Sequence, residues 1–365
     1  MKRTYRDRRA VVIENDRLRV TVLEGGGHIA EVFDKETGVN PLWTPSWPSI
    51  EPAVFDPARH REYGDTAAES RLLSAIMGHN VCLDIFGGPS AEEAAAGLPV
   101  HGEASVATYH IDQIEGHAPS IVMSASLPMA QLRFERRITL HDRTARVHEV
   151  VENLSGIDRP IGWTQHVTLG PPFLERGVTE FRASATRSKV FEGVFGSADY
   201  LKPGAEFDWP MAPGIDGGAA DLRRSSAAAR SSAYTAHLLD TRRPDAFFLA
   251  YSARFQLAFG YVWRPSDFPW LGIWEENSSR SAPPWNGATL TRGMEFGASP
   301  FPETRRQMID RGRLFGVPTY RWIPAWSRVD VEYWIVARSS RIVPETLDVL
   351  QSSKFTVQTE VRDCP

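Results

Sequence analysis

Two period-two runs on either side of a tight turn constrain this chain most. Leu132-Arg-Phe-Glu-Arg-Arg-Ile-Thr-Leu140 and Ala145-Arg-Val-His-Glu-Val-Val-Glu152 alternate apolar and polar side chains, and Asp142-Arg143 separates them. Alternation puts each apolar set on one face of a strand, and so short a connection folds the second strand back on the first. Such a hairpin must bury its apolar face against something, and the rest of the chain supplies more strands. Val11-Val-Ile13, Leu18-Arg-Val-Thr-Val22 and His28-Ile-Ala-Glu-Val-Phe33 lie between the turn formers Glu14-Asn-Asp16, Gly25-Gly-Gly27 and Asp34-Lys-Glu-Thr-Gly38. Strand patterning continues at 103–110, 121–125, 160–169, 246–251, 255–263 and 329–336. Helical periodicity is confined to short pieces at 91–96, 303–311 and 344–350. Many short strands with few helices predict a mainly β chain, a large antiparallel β-sandwich read as a single domain over all 365 residues.

The joining segments carry their own signals. Pro41 to Gly64 is rich in Pro and Trp, which predicts an ordered loop packing aromatics near an edge or cleft. Gly214 to Ala233 is small and polar and reads as an excursion from the sheets, and Trp274-Glu-Glu-Asn277 and Trp285-Asn-Gly287 read as cleft-forming loops. The 41 basic and 45 acidic residues are interspersed, giving a net charge of -4 without the basic stripe that phosphate backbones require. Nucleic acid is not an expected partner. Two cysteines, Cys82 and Cys364, do not make a disulfide framework. The charged N-terminal stretch leads into only Ala10-Val-Val-Ile13 before Glu14, and no run reaches the length of a membrane span. These features predict a cytoplasmic protein without a membrane partner; they do not address its oligomeric state.

Three segments place ionisable groups in apolar or glycine-rich settings. In Gly97-Leu-Pro-Val-His-Gly-Glu103, His101 stands beside a glycine at the expected entrance to a strand, where backbone can approach a ligand closely. In Trp163-Thr-Gln-His-Val-Thr-Leu-Gly-Pro-Pro-Phe173, His166 lies in an apolar strand, with Trp163 and Phe173 offering surface to a sugar face. In Arg292-Gly-Met-Glu-Phe-Gly-Ala-Ser-Pro-Phe-Pro302, Glu295 sits among Gly, Met and Phe, where an unpaired carboxylate costs several kcal/mol. Each has a structural alternative: a backbone-satisfied His101, a core His166, an ion pair between Glu295 and Arg292.

Taken in order, His101-Gly102, His166 with its apolar-Gly-Pro sequel and Glu295 before Ser299-Pro-Phe-Pro302 resemble the aldose 1-epimerase (galactose mutarotase-like) family. Leu18 to Trp43 is similar to that family's opening meander. The resemblance implies a galactose mutarotase-like supersandwich with a few short helices. It implies a small-molecule carbohydrate as substrate, and neither metal nor organic cofactor. Glu295 would be the catalytic base and His166 the acid. His101, Glu103, His79, Asn80, Trp163 and Glu275 are the expected substrate-binding residues. Two departures stand out: His-Gly-Gly becomes His101-Gly-Glu103, and Val167-Thr-Leu169 replaces the aromatics that follow the strand histidine. They leave open a sugar-binding or regulatory protein without turnover, and a lyase or hydrolase acting on a larger saccharide. The spacing His101-x-Glu103, with His79 or His166, also leaves open a metal-dependent β-sandwich enzyme.

Overall fold

The computed structural model describes residues 2–114 and 116–347. Among them, two antiparallel sheets hold most of the strands. The larger, of twelve strands, begins with the meander Lys2–Tyr5, Arg8–Glu14, Leu18–Leu23 and Ile29–Asp34. It continues through His79–Asp84, Arg159–Leu169, Leu290–Gly297, Trp270–Asn277 and Ser231–Leu239 to Ala185–Val190 and Glu206–Asp208, with Arg321–Ile323 on the start of Arg159–Leu169. The smaller, of eight strands, runs Glu180–Ala183, Ala246–Ser252, Leu257–Trp263, Arg328–Ser339, Thr144–Asn153, Leu132–His141, Ser120–Leu127 and His110–Ile114. The fold is mainly β and antiparallel, as the alternating runs predict, and is the supersandwich with a few short helices that the resemblance implies. The opening hairpin forms with His141 opposite Thr144 and Asp142 in the left-handed region at φ 46°.

The main core lies between the sheets. Val81, Leu83, Trp163, Val167, Leu271, Ile273, Met294 and Phe296 project from the larger sheet onto Phe134, Ile138, Val147, Phe259, Tyr261 and Tyr333 of the smaller. One polar cluster crosses this layer. Glu149 pairs with Arg136 at 2.7 Å and accepts from the Tyr333 hydroxyl at 2.8 Å, the Trp163 indole at 3.0 Å and the Gln165 amide at 2.6 Å. Four donors on one carboxylate satisfy a charge that burial would otherwise penalise heavily.

The central strands of the larger sheet are also covered on their other face. Trp43, Tyr63, Leu72, Leu73, Ile76, Phe86, Trp285 and Phe301 pack there against Cys82, Tyr234, Ala236, Trp270 and Trp274. The Pro41–Gly64 segment supplies the expected aromatics, pinned by Trp43 N–H on Thr168 O at 2.8 Å. The short helix Ala67–Leu73 adds Leu72 and Leu73 to this layer; a second, Ala91–Ala95, buries no side chain and opens on a capping box between Ser90 and Glu93. A third, Arg305–Arg311, has the same device between Thr304 and Gln307 and matches the helix expected at 303–311.

Several expectations are corrected. Residues 103–105 form a 3₁₀ turn, and the strand begins only at His110. Gly214 to Ala233 contains half of a small hairpin, Met211–Pro213 with Ala219–Asp221, and enters the larger sheet at Ser231. Trp274 to Asn277 is the end of a central strand, not a loop. Residues 344–347 are not helical, and 348–350 lie outside the described residues, as does Cys364. Among the described residues no helix is long and apolar enough to cross a membrane.

Candidate active site

Strand pairing brings the acid–base candidates together. Thr164 stands opposite Gly297 and Thr168 opposite Gly293, so the register sets His166 opposite Glu295. Residues opposite one another in an antiparallel pair share a face. His166 Nε2 lies 3.0 Å from Glu295 Oε1, and His166 Nδ1 lies 3.1 Å from Thr168 Oγ1. Both side chains are buried, His166 at 4% and Glu295 at 2% exposure. Glu295 does not pair with Arg292, which projects to the other face, rests 4.2 Å over the Phe181 ring and donates to Leu222 O at 2.6 Å.

His101 arrives from the loop that crosses above. It holds φ 68°, and Gly102 follows at φ 77°. A Cβ on Gly102 would stand 2.0 Å from Leu83 O, so only glycine fits this passage. The turn is tied by His101 N–H on Gly87 O at 3.1 Å and Leu83 N–H on His101 O at 3.2 Å. Its Nδ1 meets Phe86 O at 2.6 Å, and its ring centroid lies 4.9 Å from that of His166.

These three residues line a cavity of about 190 Å³. Its walls include Phe86, Tyr234, Trp274 and Trp285, with Leu72, Leu73 and Ile76 from the helix side and Glu69 and Arg280 among its charged residues. Arg280 sits 4.9 Å over Trp285 and 5.6 Å over Trp274, and its Nε is 3.5 Å from Glu276. The Trp274 indole N–H is buried without a partner among the described residues. An apolar slot with a few convergent polar groups is the usual build of a small-molecule site.

Burial sets the electrostatics. It pushes the Glu295 carboxyl up to about 8, against a downward pull from the Tyr234 hydrogen bond. Burial, reinforced by the neighbouring His101, holds His166 well below the ordinary imidazole value, and burial pushes His101 down to about 4. Both members of the 3.0 Å contact are thus driven towards their neutral forms, a carboxylic acid against an unprotonated Nε2. With Nδ1–H given to Thr168, the Nε2 lone pair is the one that faces Glu295.

The other expected binders are placed elsewhere. His79 projects between the sheets, where Nε2 meets Gln165 Oε1 at 2.9 Å and Nδ1 meets the Tyr261 hydroxyl at 3.1 Å. Trp163 points the same way, to Glu149. Glu103 turns back to accept the Ala130 N–H at 2.8 Å, so it does not share a strand face with His101. Glu275 accepts from Ser231 Oγ at 2.6 Å, and it is Glu276 that reaches Arg280. None of these four lines the cavity. Asn80 stands opposite His166 and so shares its face; its amide N and O are buried without partners, although it too is outside the cavity lining. Among the described residues no three His, Cys, Asp or Glu side chains group as metal ligands.

Tyr234, Phe86, Arg280 and the helix Ala67–Leu73 are cavity elements that sequence reasoning missed. For the first, the available signal was the strand-length run Tyr234-Thr-Ala-His-Leu-Leu239, whose aromatic, β-branched and aliphatic residues carry no charged side chain other than a histidine.

No family profile and no curated protein matches the chain. Solved structures do. A proposed aldose 1-epimerase from Klebsiella pneumoniae aligns with 93% of this chain and 82% of its own, at 12% identity and TM-score 0.64. A galactose mutarotase-like protein from Clostridium acetobutylicum aligns over 93% and 98%, at 11% identity and TM-score 0.59. Another from Lactobacillus casei aligns over 90% and 100%, at 14% identity and TM-score 0.56. At such identities the likeness is one of architecture, and the chain has the galactose mutarotase-like fold.

Proposed function

We propose that this protein interconverts the anomers of a free aldose by acid–base ring opening, in the manner of an aldose 1-epimerase. The contact of 3.0 Å between His166 Nε2 and Glu295 Oε1 on the wall of a sugar-sized cavity carries this reading. Ring opening needs a proton removed from the anomeric hydroxyl and another delivered to the ring oxygen. Glu295, as carboxylate, takes the first. The bond from C1 to the ring oxygen breaks, its electron pair stays on that oxygen, and His166 Nε2–H protonates it. The open-chain aldehyde turns about C1–C2, and the same steps in reverse close the ring on the other face and restore both groups. The reactive pair, carboxylate and imidazolium, differs from the neutral pair only by transfer of one proton across the existing contact. His101 binds near the ring oxygen, and Trp274 and Trp285 offer apolar surface to the C–H face of the sugar.

Magnetisation-transfer NMR on a panel of aldoses tests the proposal. The protein should speed α/β exchange of at least one of them, and Glu295→Gln should lower that rate by about 10²–10⁴-fold. No acceleration of any aldose, or a rate indifferent to Glu295→Gln, would refute it.

A further inference from the structure

Tyr234 belongs to Ser231–Leu239 and stands opposite Trp274 of the neighbouring strand. Its ring leans along the sheet towards Glu295, across Gly272. A Cβ on Gly272 would lie 2.0 Å from the Tyr234 hydroxyl and 3.5 Å from Glu295 Cβ, so the missing side chain is what admits the phenol. Gly272 is itself paired with Glu295. The hydroxyl donates to Pro300 O at 3.3 Å, and Glu295 is its neighbour across the space that Gly272 leaves open. A phenol carries one hydrogen and can donate to one acceptor at a time.

We propose that Tyr234 is a positioning residue for Glu295, its hydroxyl turning from the Pro300 carbonyl to the carboxylate when Glu295 gives up its proton. While Glu295 is protonated, its O–H faces His166 Nε2 and the phenol donates to Pro300 O. On ionisation, the phenol hydrogen swings to the carboxylate. Burial and the nearby Glu295 raise the phenol well above its ordinary range, so the donor keeps its proton throughout the working pH. The hydroxyl thereby favours the ionised form, which the proposed base requires. The inference rests on the reading of Glu295 as the base.

The test uses the full chain labelled with ¹³C at glutamate carboxyls, with the Glu295 signal identified by its loss in Glu295→Gln. Tyr234→Phe should raise the Glu295 midpoint by about one pH unit, since a hydrogen bond to the charged form has been removed. Gly272→Ala, which displaces the phenol while keeping it, should move the midpoint the same way. A midpoint unchanged or lowered in folded Tyr234→Phe, even with reduced thermal stability, overturns the inference. If that variant does not fold, Gly272→Ala decides alone by the same criterion. The readout needs no turnover, so the shift with no anomer exchange would refute the proposed function and leave this hydrogen bond standing. Exchange without the shift would do the reverse.

Discussion

A carboxyl and an imidazole in contact can hold none, one or two titrating protons between them, and only the one-proton state has both a base and an acid. Raising pH removes the shared proton as Glu295 ionises, at about 8. Lowering pH adds a second once His166 is protonated, which burial postpones to well below its ordinary value. The rate of anomer exchange should therefore follow a bell with its alkaline limb near 8 and its acid limb well below 6.5. A pH–rate series by NMR decides it: an acid limb at or above 6.5 would mean that His166 is not held neutral. The same scale shows what a sequence can and cannot say about a site. Glu295 and His166 were legible because an ionisable side chain in an apolar strand demands a reason, and His101 because it precedes a glycine. His79 and Asn80 were not distinguishable, since adjacent residues point to opposite faces and only the register says which face holds the cavity. The register places Asn80 on the His166 face and sends His79 into the core. Glu275 and Glu276 repeat the lesson: Glu275 turns to Ser231, and Glu276, on the opposite face, reaches Arg280.

At the scale of elements, what remained illegible has one physical cause. The smaller sheet presents one face to solvent over much of its area, so Leu132–His141 and Thr144–Asn153 alternate and could be read directly. Trp270–Asn277 is buried at every position, and Leu290–Gly297 nearly so, because the sandwich core covers one face and the aromatic layer covers the other. Such strands lose the period-two signature, and the runs around Trp274 and Glu295 therefore read as loops or as isolated motifs. The loop above them is set by backbone geometry. Alanine at Gly102 must adopt φ 77° and bring a Cβ to 2.0 Å from Leu83 O, so Gly102→Ala should cost about 2–4 kcal/mol and displace His101. Gly88, with open space around its would-be Cβ, serves as the comparison: Gly88→Ala should change stability by less than about 1 kcal/mol. Urea unfolding of both variants checks the contrast, and equal losses would mean that the Gly102 passage is not a tight one.

For the whole molecule, the two-sided burial of the larger sheet encloses an unusual set of neutral histidines, and this ties stability to pH. Burial pushes His28 and His237 down to about 3 and His101 to about 4, and holds His79 and His166 well below the ordinary value. In the unfolded chain each titrates near 6.5. Below that pH the unfolded chain binds protons that the folded one refuses, so stability present above 6.5 is lost as pH falls. The His166–Glu295 pair does not add to this loss. Folded, it keeps one proton; unfolded between about pH 4.5 and 6.5, the histidine holds one and the glutamate none, so the counts cancel. Four histidines remain, and at about 1.4 kcal/mol per pH unit for each proton the limiting slope is on the order of 5 kcal/mol per unit. Between about pH 6.5 and 8 the fold retains the pair's proton while the unfolded chain has released it, so stability declines gently as pH rises through that range, and the buried Cys82 thiol, also pushed up by burial, acts in the same direction above it. Urea midpoints should therefore be highest near pH 6.5, fall steeply by pH 5 and fall slightly by pH 8.5. A midpoint at pH 5 equal to that at 6.5 would show that these imidazoles take up protons within the fold, and the neutral, one-proton site argued for Glu295 and His166 would lose the dry surroundings on which it depends.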